Sequence, residues 1–271
     1  MLRFSKRKQY KSFFNICIGI LFSLLLISCD TVGSIDKFQH QDTTQIFNGG
    51  ILAMKHGNYL SAIDHFSALE KLYPDNKYAE KILIYKIYAY YKQNKNTEVL
   101  ANCDRFLKVY PMSNNIDYVY YMRGVVNMKM NQTIVEKFLP YDPAERDLTS
   151  LKLAFSDFNL LIKAFPQSRY LVDARQRMIF IHNILARYYL RVANFYYLHS
   201  DYIATINNAN TIIINYQTSD SVPYALVLLI KSYQALKLTK EAQLVLQVFH
   251  YNYPHSPLSK YILNNTDYKI Y

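Results

Sequence analysis

The sequence predicts an all-α fold, a superhelix of about five helix pairs. Three segments share one frame: Ala62, Phe66, Pro74, then Ala154, Phe158, Pro166, then, with Leu for Phe, Ala242, Leu246, Pro254. Two looser copies keep the same four-plus-eight spacing, Val99, Cys103, Pro111 and Thr205, Ala209, Gln217. In addition, 6 glycines and 8 prolines in 271 residues leave too few turn signals for the many hairpins of a sheet-rich fold.

The frame has a physical cause. A small residue lets two helices approach, a large apolar one four residues on fills the gap between them, and proline stops the helix. A-x3-F-x7-P is the second half of a tetratricopeptide repeat, a unit of about 34 residues that buries its apolar face only against its neighbours. The five copies start 37, 55, 51 and 37 residues apart, so the outer intervals hold one unit each and the middle two carry insertions.

Along the chain, the first segment reads as an address. Arg3, Lys6, Arg7, Lys8 and Lys11 precede an almost uncharged apolar run from Phe13 to Ile27. That run is short for a bilayer span, which needs about 20 residues, and suits the apolar region of a secretory signal over residues 1–28. It ends in Leu26-Ile27-Ser28-Cys29, which resembles the bacterial lipoprotein box, whose cysteine carries a covalent diacylglycerol and becomes the mature N-terminus. An uncleaved signal anchor is the alternative. Asp30, directly after the cysteine, leaves retention in the inner membrane open against placement in the outer membrane. Residues 29–45 are polar and without periodicity, a lipidated N-terminus and tether.

The solenoid is expected over residues 46–257, with a C-terminal tail at 258–271. Gly57 and Asn94 fall at turns within repeats, where a left-handed backbone suits glycine and is tolerated by asparagine. Counting back from Pro111 places Lys81, Ile84, Tyr88, Tyr91 and Lys92 on the groove side of the second repeat, and Tyr118 and Tyr121 follow in the third if Gly124 takes the usual glycine position. Such rings either hold an extended peptide at low entropic cost or simply fill contacts between repeats. The insertion from Asn131 to Ser150, with Pro140 and Pro143, reads as an exposed loop that touches a partner. The segment from Tyr170 to Leu198 reads as one unusually long helix joining the two ends of the array.

Net charge is +11, but removing residues 1–28 leaves 26 basic against 20 acidic side chains, or +6. No basic run with interleaved aromatics follows the N-terminus, so no nucleic-acid partner is expected. The 27 tyrosines and absence of tryptophan fit an AT-rich coding sequence more than a functional demand. Chemistry is equally sparse. There is no H-E-x-x-H, paired C-x-x-C, glycine-rich phosphate loop or G-x-S-x-G, so neither catalytic residues, a metal site nor a cofactor beyond the lipid is expected. Cys103 reads as a core residue.

Longer strings narrow the class: Ile87-Tyr88-Ala89-Tyr90-Tyr91-Lys92, Asp104-Arg105-Phe106, Asn115-Ile116-Asp117-Tyr118-Val119-Tyr120-Tyr121-Met122-Arg123-Gly124, Ala154-Phe155-Ser156-Asp157-Phe158 and Pro166-Gln167-Ser168-Arg169-Tyr170. With the lipoprotein box they resemble the BamD/ComL family of lipoproteins, part of the outer-membrane β-barrel assembly machine, over roughly residues 46–254. The resemblance implies a periplasm-facing scaffold docked on the periplasmic domains of the barrel subunit BamA, holding accessory Bam lipoproteins and receiving unfolded β-barrel precursors. It makes Tyr88, Tyr91, Tyr118, Tyr121 and Arg123 candidates for substrate contact and Asn207 and Asn208 candidates for BamA contact. The second region lacks the basic character expected of the family. A pilotin-like lipoprotein serving secretin or pilus assembly is the alternative, and an envelope hydrolase or transferase built on repeats is a third reading.

Overall fold

The structure, a computed structural model, describes residues 36–130, 144 and 147–263. Among these residues all regular structure is helical, and the helices follow one another in pairs. The chain divides into two compact units, Met1–Ile82 and Leu83–Tyr271. The signal segment, Cys29, Asp30 and most of the Asn131–Ser150 insertion lie outside the described residues.

In the first unit, α1 (Thr43–Lys55) pairs with α2 (Tyr59–Leu72). Asp42 caps α1 by accepting from the Thr44 and Gln45 amides, and Gln45 accepts in return from the Asp42 amide, which satisfies the orphan donors of the first turn. The packing of the first unit includes residues before the expected boundary at residue 46. Phe38, placed by the sequence in the tether, is buried with its ring edge-on to His65, and Gln41 accepts a hydrogen bond from the Tyr73 hydroxyl. The pair closes tightly because Gly50 has no side chain: a Cβ there would sit 2.5 Å from the buried Phe66 ring.

The second unit is formed by α3 (Ala79–Lys92, from Leu83), α4 (Asn96–Val109), α5 (Ile116–Met130), α6 (Thr149–Ala164), α7 (Leu171–Leu198), α8 (Tyr202–Asn215), α9 (Val222–Ala235), α10 (Thr239–Asn252) and the short α11 (Ser259–Leu263). Its interior runs as three successive apolar clusters. The first joins Leu83 and Ile87 to Val99, Cys103 and Phe106 and to Val119 of α5. The second is centred on Ala154, Phe158 and Leu161. The third is centred on Leu226 to Ile230 of α9.

All five frame positions land where the repeat requires, on the second helix of a pair. Ala62, Val99, Ala154, Thr205 and Ala242 are buried, and Thr205 is accommodated in place of alanine because its hydroxyl donates to the Asp201 carbonyl, 2.9 Å away. Within pairs, bulk on one helix is matched by its lack on the other. A Cβ added at Gly124 would sit 2.7 Å from the Phe158 ring, whereas Ile87 shares its cluster with the smaller Cys103. Burial pushes the Cys103 thiol well above its ordinary value, consistent with a core residue.

The turns repeat with equal regularity. Five residues before the frame position the backbone is left-handed at Gly57, Asn94, Ser200 and Lys237, with φ of 72°, 56°, 61° and 60°. In each case the next amide reaches back to close the helix end: Asn58 to Ala53, Lys95 to Tyr90, Asp201 to Tyr196 and Leu238 to Tyr233, all at 2.9–3.0 Å. Past the second helix comes an aromatic residue, Tyr73, Tyr110, Phe165, Tyr216 or Tyr253. Three residues further, Asn76, Ser113, Ser168, Ser219 and Ser256 each accept from the amide two residues on. The fourth repeat, which has Gln217 for proline, keeps both of these features and therefore its turn.

The 28-residue α7 accounts for the long third interval, from Ala154 to Thr205. Its first half (Ala174, Ile181, Ile184) belongs to the second cluster and its second half (Ala186, Leu190, Ala193) to the third, so one rod about 42 Å long at 1.5 Å per residue ties two cores together. Two expectations are corrected at the edges. Ala144 and Leu148, inside the supposed exposed loop, are buried in the second cluster. Residues 258–263, expected as tail, place Leu258 and Ile262 in the third cluster, where they cover the apolar end that the last repeat would otherwise leave to solvent.

Candidate binding surface

Two first helices of successive pairs, α3 and α5, carry the predicted aromatic residues. Tyr88 is 37% exposed and has the Lys92 ammonium 5.6 Å from its ring centroid. Tyr91 is half-buried. Lys129 of α5 lies 5.3 Å over its ring and donates to the Asn94 side chain, so that α5 is pinned to the turn that closes α3.

Tyr118 and Tyr121 turn toward the start of α7. Tyr121 stacks on Tyr170 with centroids 4.6 Å apart, Tyr118 meets the same ring at 5.8 Å, and the Tyr121 hydroxyl donates to Asp173 at 2.8 Å. Arg177 donates to the same carboxylate. Burial pushes the Tyr118 and Tyr121 phenols up, the latter helped by its bond to Asp173. Burial works against the Asp173 charge, but the bonds from Arg177 and Tyr121 prevail and hold its carboxyl below the usual range. In this arrangement both tyrosines spend most of their surface on joining repeats.

Arg123 is engaged inside the stack. Its Nε donates to both Asp157 oxygens at 3.0 and 3.2 Å, Nη2 donates to Oδ1 at 2.6 Å, and Nη1 donates to Asp104 at 2.6 Å. One guanidinium thus links α4, α5 and α6. The Asp157 side chain is only 4% exposed, and Asn127 offers it a further, longer bond of 3.4 Å. Burial opposes the Arg123 charge, but the two carboxylates outweigh it and keep the group protonated. Its planar fork matches the carboxylate in a way lysine would not.

On α8, Asn207 is exposed, while the Asn208 side chain donates to the Ala204 carbonyl at 2.8 Å. Apart from Tyr202 the helix has no ionisable side chain, and Ile203 and Ile214 are exposed alongside Asn207. The basic character expected there is absent from the helix itself. Among the described residues no group of His, Cys, Asp and Glu is placed to hold a metal, and no helix is long and apolar enough to cross a membrane.

The sequence strings and this stacking converge with comparison to known proteins. A family model described as YfiO, outer membrane lipoprotein, matches residues 39–261. The chain belongs to the YfiO family. Its relatives include the outer membrane protein assembly factor BamD of Vibrio cholerae, 32% identical over 234 residues that span 86% of this chain and 96% of that protein. The same-named protein of Pasteurella multocida is 32% identical over 85% of this chain and 86% of its own length, and that of Neisseria meningitidis serogroup B is 30% identical over 91% and 94%. Among solved structures, that of MamA protein covers 82% of this chain at 16% identity with a TM-score of 0.32, too slight a likeness to carry an argument.

For this YfiO-family chain, the quoted strings coincide with the places where repeats are joined. Asp104, Arg123 and Asp157 come from three of those strings and form one ionic link, and Tyr121 and Tyr170 come from two and form one stack. Tyr88 is the most exposed of the four candidate tyrosines. The aromatic residue before Pro74, Pro111, Pro166, Gln217 and Pro254 keeps a constant spacing from the frame, a signal hidden in the sequence by the abundance of tyrosine.

Proposed function

We propose that this protein is a non-enzymatic assembly factor for outer-membrane β-barrel proteins, held on the periplasmic side of the outer membrane by a lipid on Cys29. The match to assembly factors named BamD over nearly their whole length carries this reading. Its partners are the periplasmic domains of BamA, accessory Bam lipoproteins and unfolded barrel precursors.

A scaffold of this kind needs no reacting group; it needs different affinities for the states of its partners. The ionic and aromatic links between repeats hold the first helices in fixed order, so their outer faces meet a ligand without a large ordering cost. Tyr88, exposed beside Lys92, is the substrate contact this reading favours, with Tyr91, Tyr118, Tyr121 and Arg123 supporting its surroundings. The uncharged outer face of α8 around Asn207 faces BamA, which then supplies apolar and amide contacts rather than acidic ones.

The test is a calorimetric titration of the full chain in detergent against the periplasmic domains of the BamA protein encoded in the same genome, at two salt concentrations. Micromolar or tighter binding with weak salt dependence supports the assignment and the uncharged α8 contact. Absence of binding overturns the BamA partnership.

A further inference from the structure

Among the described residues, the first pair and the last pair are each covered by a short segment that belongs to no pair. On a second helix, the place three residues after the frame position borders the preceding pair. In α6 that place is Asp157, and Arg123 links it to Asp104 of α4. In α2 the same place is His65, three residues after Ala62, and Phe38 occupies the side where a preceding pair would lie. The Phe38 ring is 2% exposed and 4.7 Å from the His65 ring, and the Gln41 carbonyl accepts from the Tyr73 hydroxyl at 3.0 Å.

The last pair is closed in a matching way. First helices begin three residues after the Asn or Ser of the turn before them: Ala79 after Asn76, Ile116 after Ser113, Leu171 after Ser168 and Val222 after Ser219. Ser259 follows Ser256 at the same distance, so α11 stands where the first helix of a sixth pair would begin. From it Leu258 and Ile262, each 7% exposed, press on the apolar cluster centred on α9.

Both covered faces are therefore stacking faces, each shaped to receive another pair. They are also the two sides of one repeated contact, so a bare first pair and a bare last pair complement each other in separate molecules. We propose that residues 36–41 and 258–263 are seals that hold copies of this chain apart, and that without them the first pair of one copy stacks on the last pair of a second. Such a contact is heterologous and leaves a free face at either end, so it extends into chains of copies instead of closing. The seals prevail because they are tethered: a segment of the same chain meets its site at an effective concentration of the order of millimolar, which a second copy does not reach. The inference is independent of the assembly reading, which needs no contact between copies.

The test uses the full chain in density-matched detergent, with mass measured by analytical ultracentrifugation and folding checked by far-ultraviolet circular dichroism. Phe38→Ala bares the first pair and Ile262→Ser bares the last. The wild type and each single variant are expected to remain monomers alone, because one bare face has no complement on an identical molecule. Mixed, the two single variants form a one-to-one dimer, and a chain carrying both changes grows in mass with concentration. Association of either single variant by itself shows unspecific stickiness and overturns the proposal, as does absence of a mixed dimer at about 100 µM of each. Leu258→Ala replaces Ile262→Ser if the latter does not fold. Unfolding of both also overturns it, because a seal comes away without loss of the fold.

Discussion

Replacing Gly124 by alanine sets two effects of opposite sign against each other. Gly124 lies within α5, where alanine is favoured over glycine by about 1 kcal/mol. The added methyl would lie 2.7, 2.8 and 3.0 Å from three atoms of the Phe158 ring, well inside the roughly 3.5 Å at which carbon atoms rest. That ring is fully buried and flanked by Tyr121, so it has nowhere to go. Overpacking of this kind costs about 1–3 kcal/mol, leaving Gly124→Ala destabilised by about 1 kcal/mol after the gain in propensity. Phe158→Leu alone leaves a void and costs about 1–2 kcal/mol. Combined, the alanine occupies space that the smaller leucine frees, and the double variant is more stable than the sum of the single losses by about 1 kcal/mol or more. Urea unfolding followed by far-ultraviolet circular dichroism measures all three. A stabilised Gly124→Ala, or strict additivity with Phe158→Leu, would refute size matching as the rule that seats one helix of a pair on the other.

Arg123→Gln strands Asp157 in the interior, and the expected loss is about 3–5 kcal/mol at neutral pH. Burial already pushes the Asp157 carboxyl above its ordinary value, and without Arg123 it rises further. A carboxyl raised in the folded state stabilises below its unfolded value near 4 and loses that contribution as pH rises, so the deficit of the variant should grow from pH 4 to pH 7 in melts across that range. Lys237→Gly relieves a left-handed backbone and should stabilise by about 1 kcal/mol by the same unfolding assay; a loss would show that the Lys237 side chain matters more than its backbone. Tyr121→Phe, which removes the bond to Asp173, should cost about 1 kcal/mol of stability. Tyr88→Ala should cost less than that and instead weaken binding of unfolded barrel-precursor segments, read by anisotropy.

The repeat frame was legible because its residues are chosen by contact within one helix pair. Ala154, Phe158 and Pro166 mean the same thing wherever they occur. Gly57 and Asn94 advertise a left-handed turn through their own chemistry, whereas Ser200 and Lys237 adopt it because the helix ends on both sides demand it, and nothing in their type reveals this. The candidate tyrosines were ambiguous for a different reason. An aromatic ring on the first helix of a pair serves ligand or neighbour equally well, and Tyr121 is settled by Tyr170 and Asp173, about 50 residues away, which no local pattern brings together. Arg123 likewise looked like an available cation until Asp104 and Asp157 closed around it.

The central claim, that this chain assembles outer-membrane β-barrel proteins, is tested most directly by depleting it in its own host and following folded barrel proteins in the outer membrane by heat-modifiable electrophoretic mobility. Folded barrels should fall while unfolded precursors accumulate in the periplasm, and a plasmid copy should restore them. Unchanged barrel levels after complete depletion would contradict the assignment.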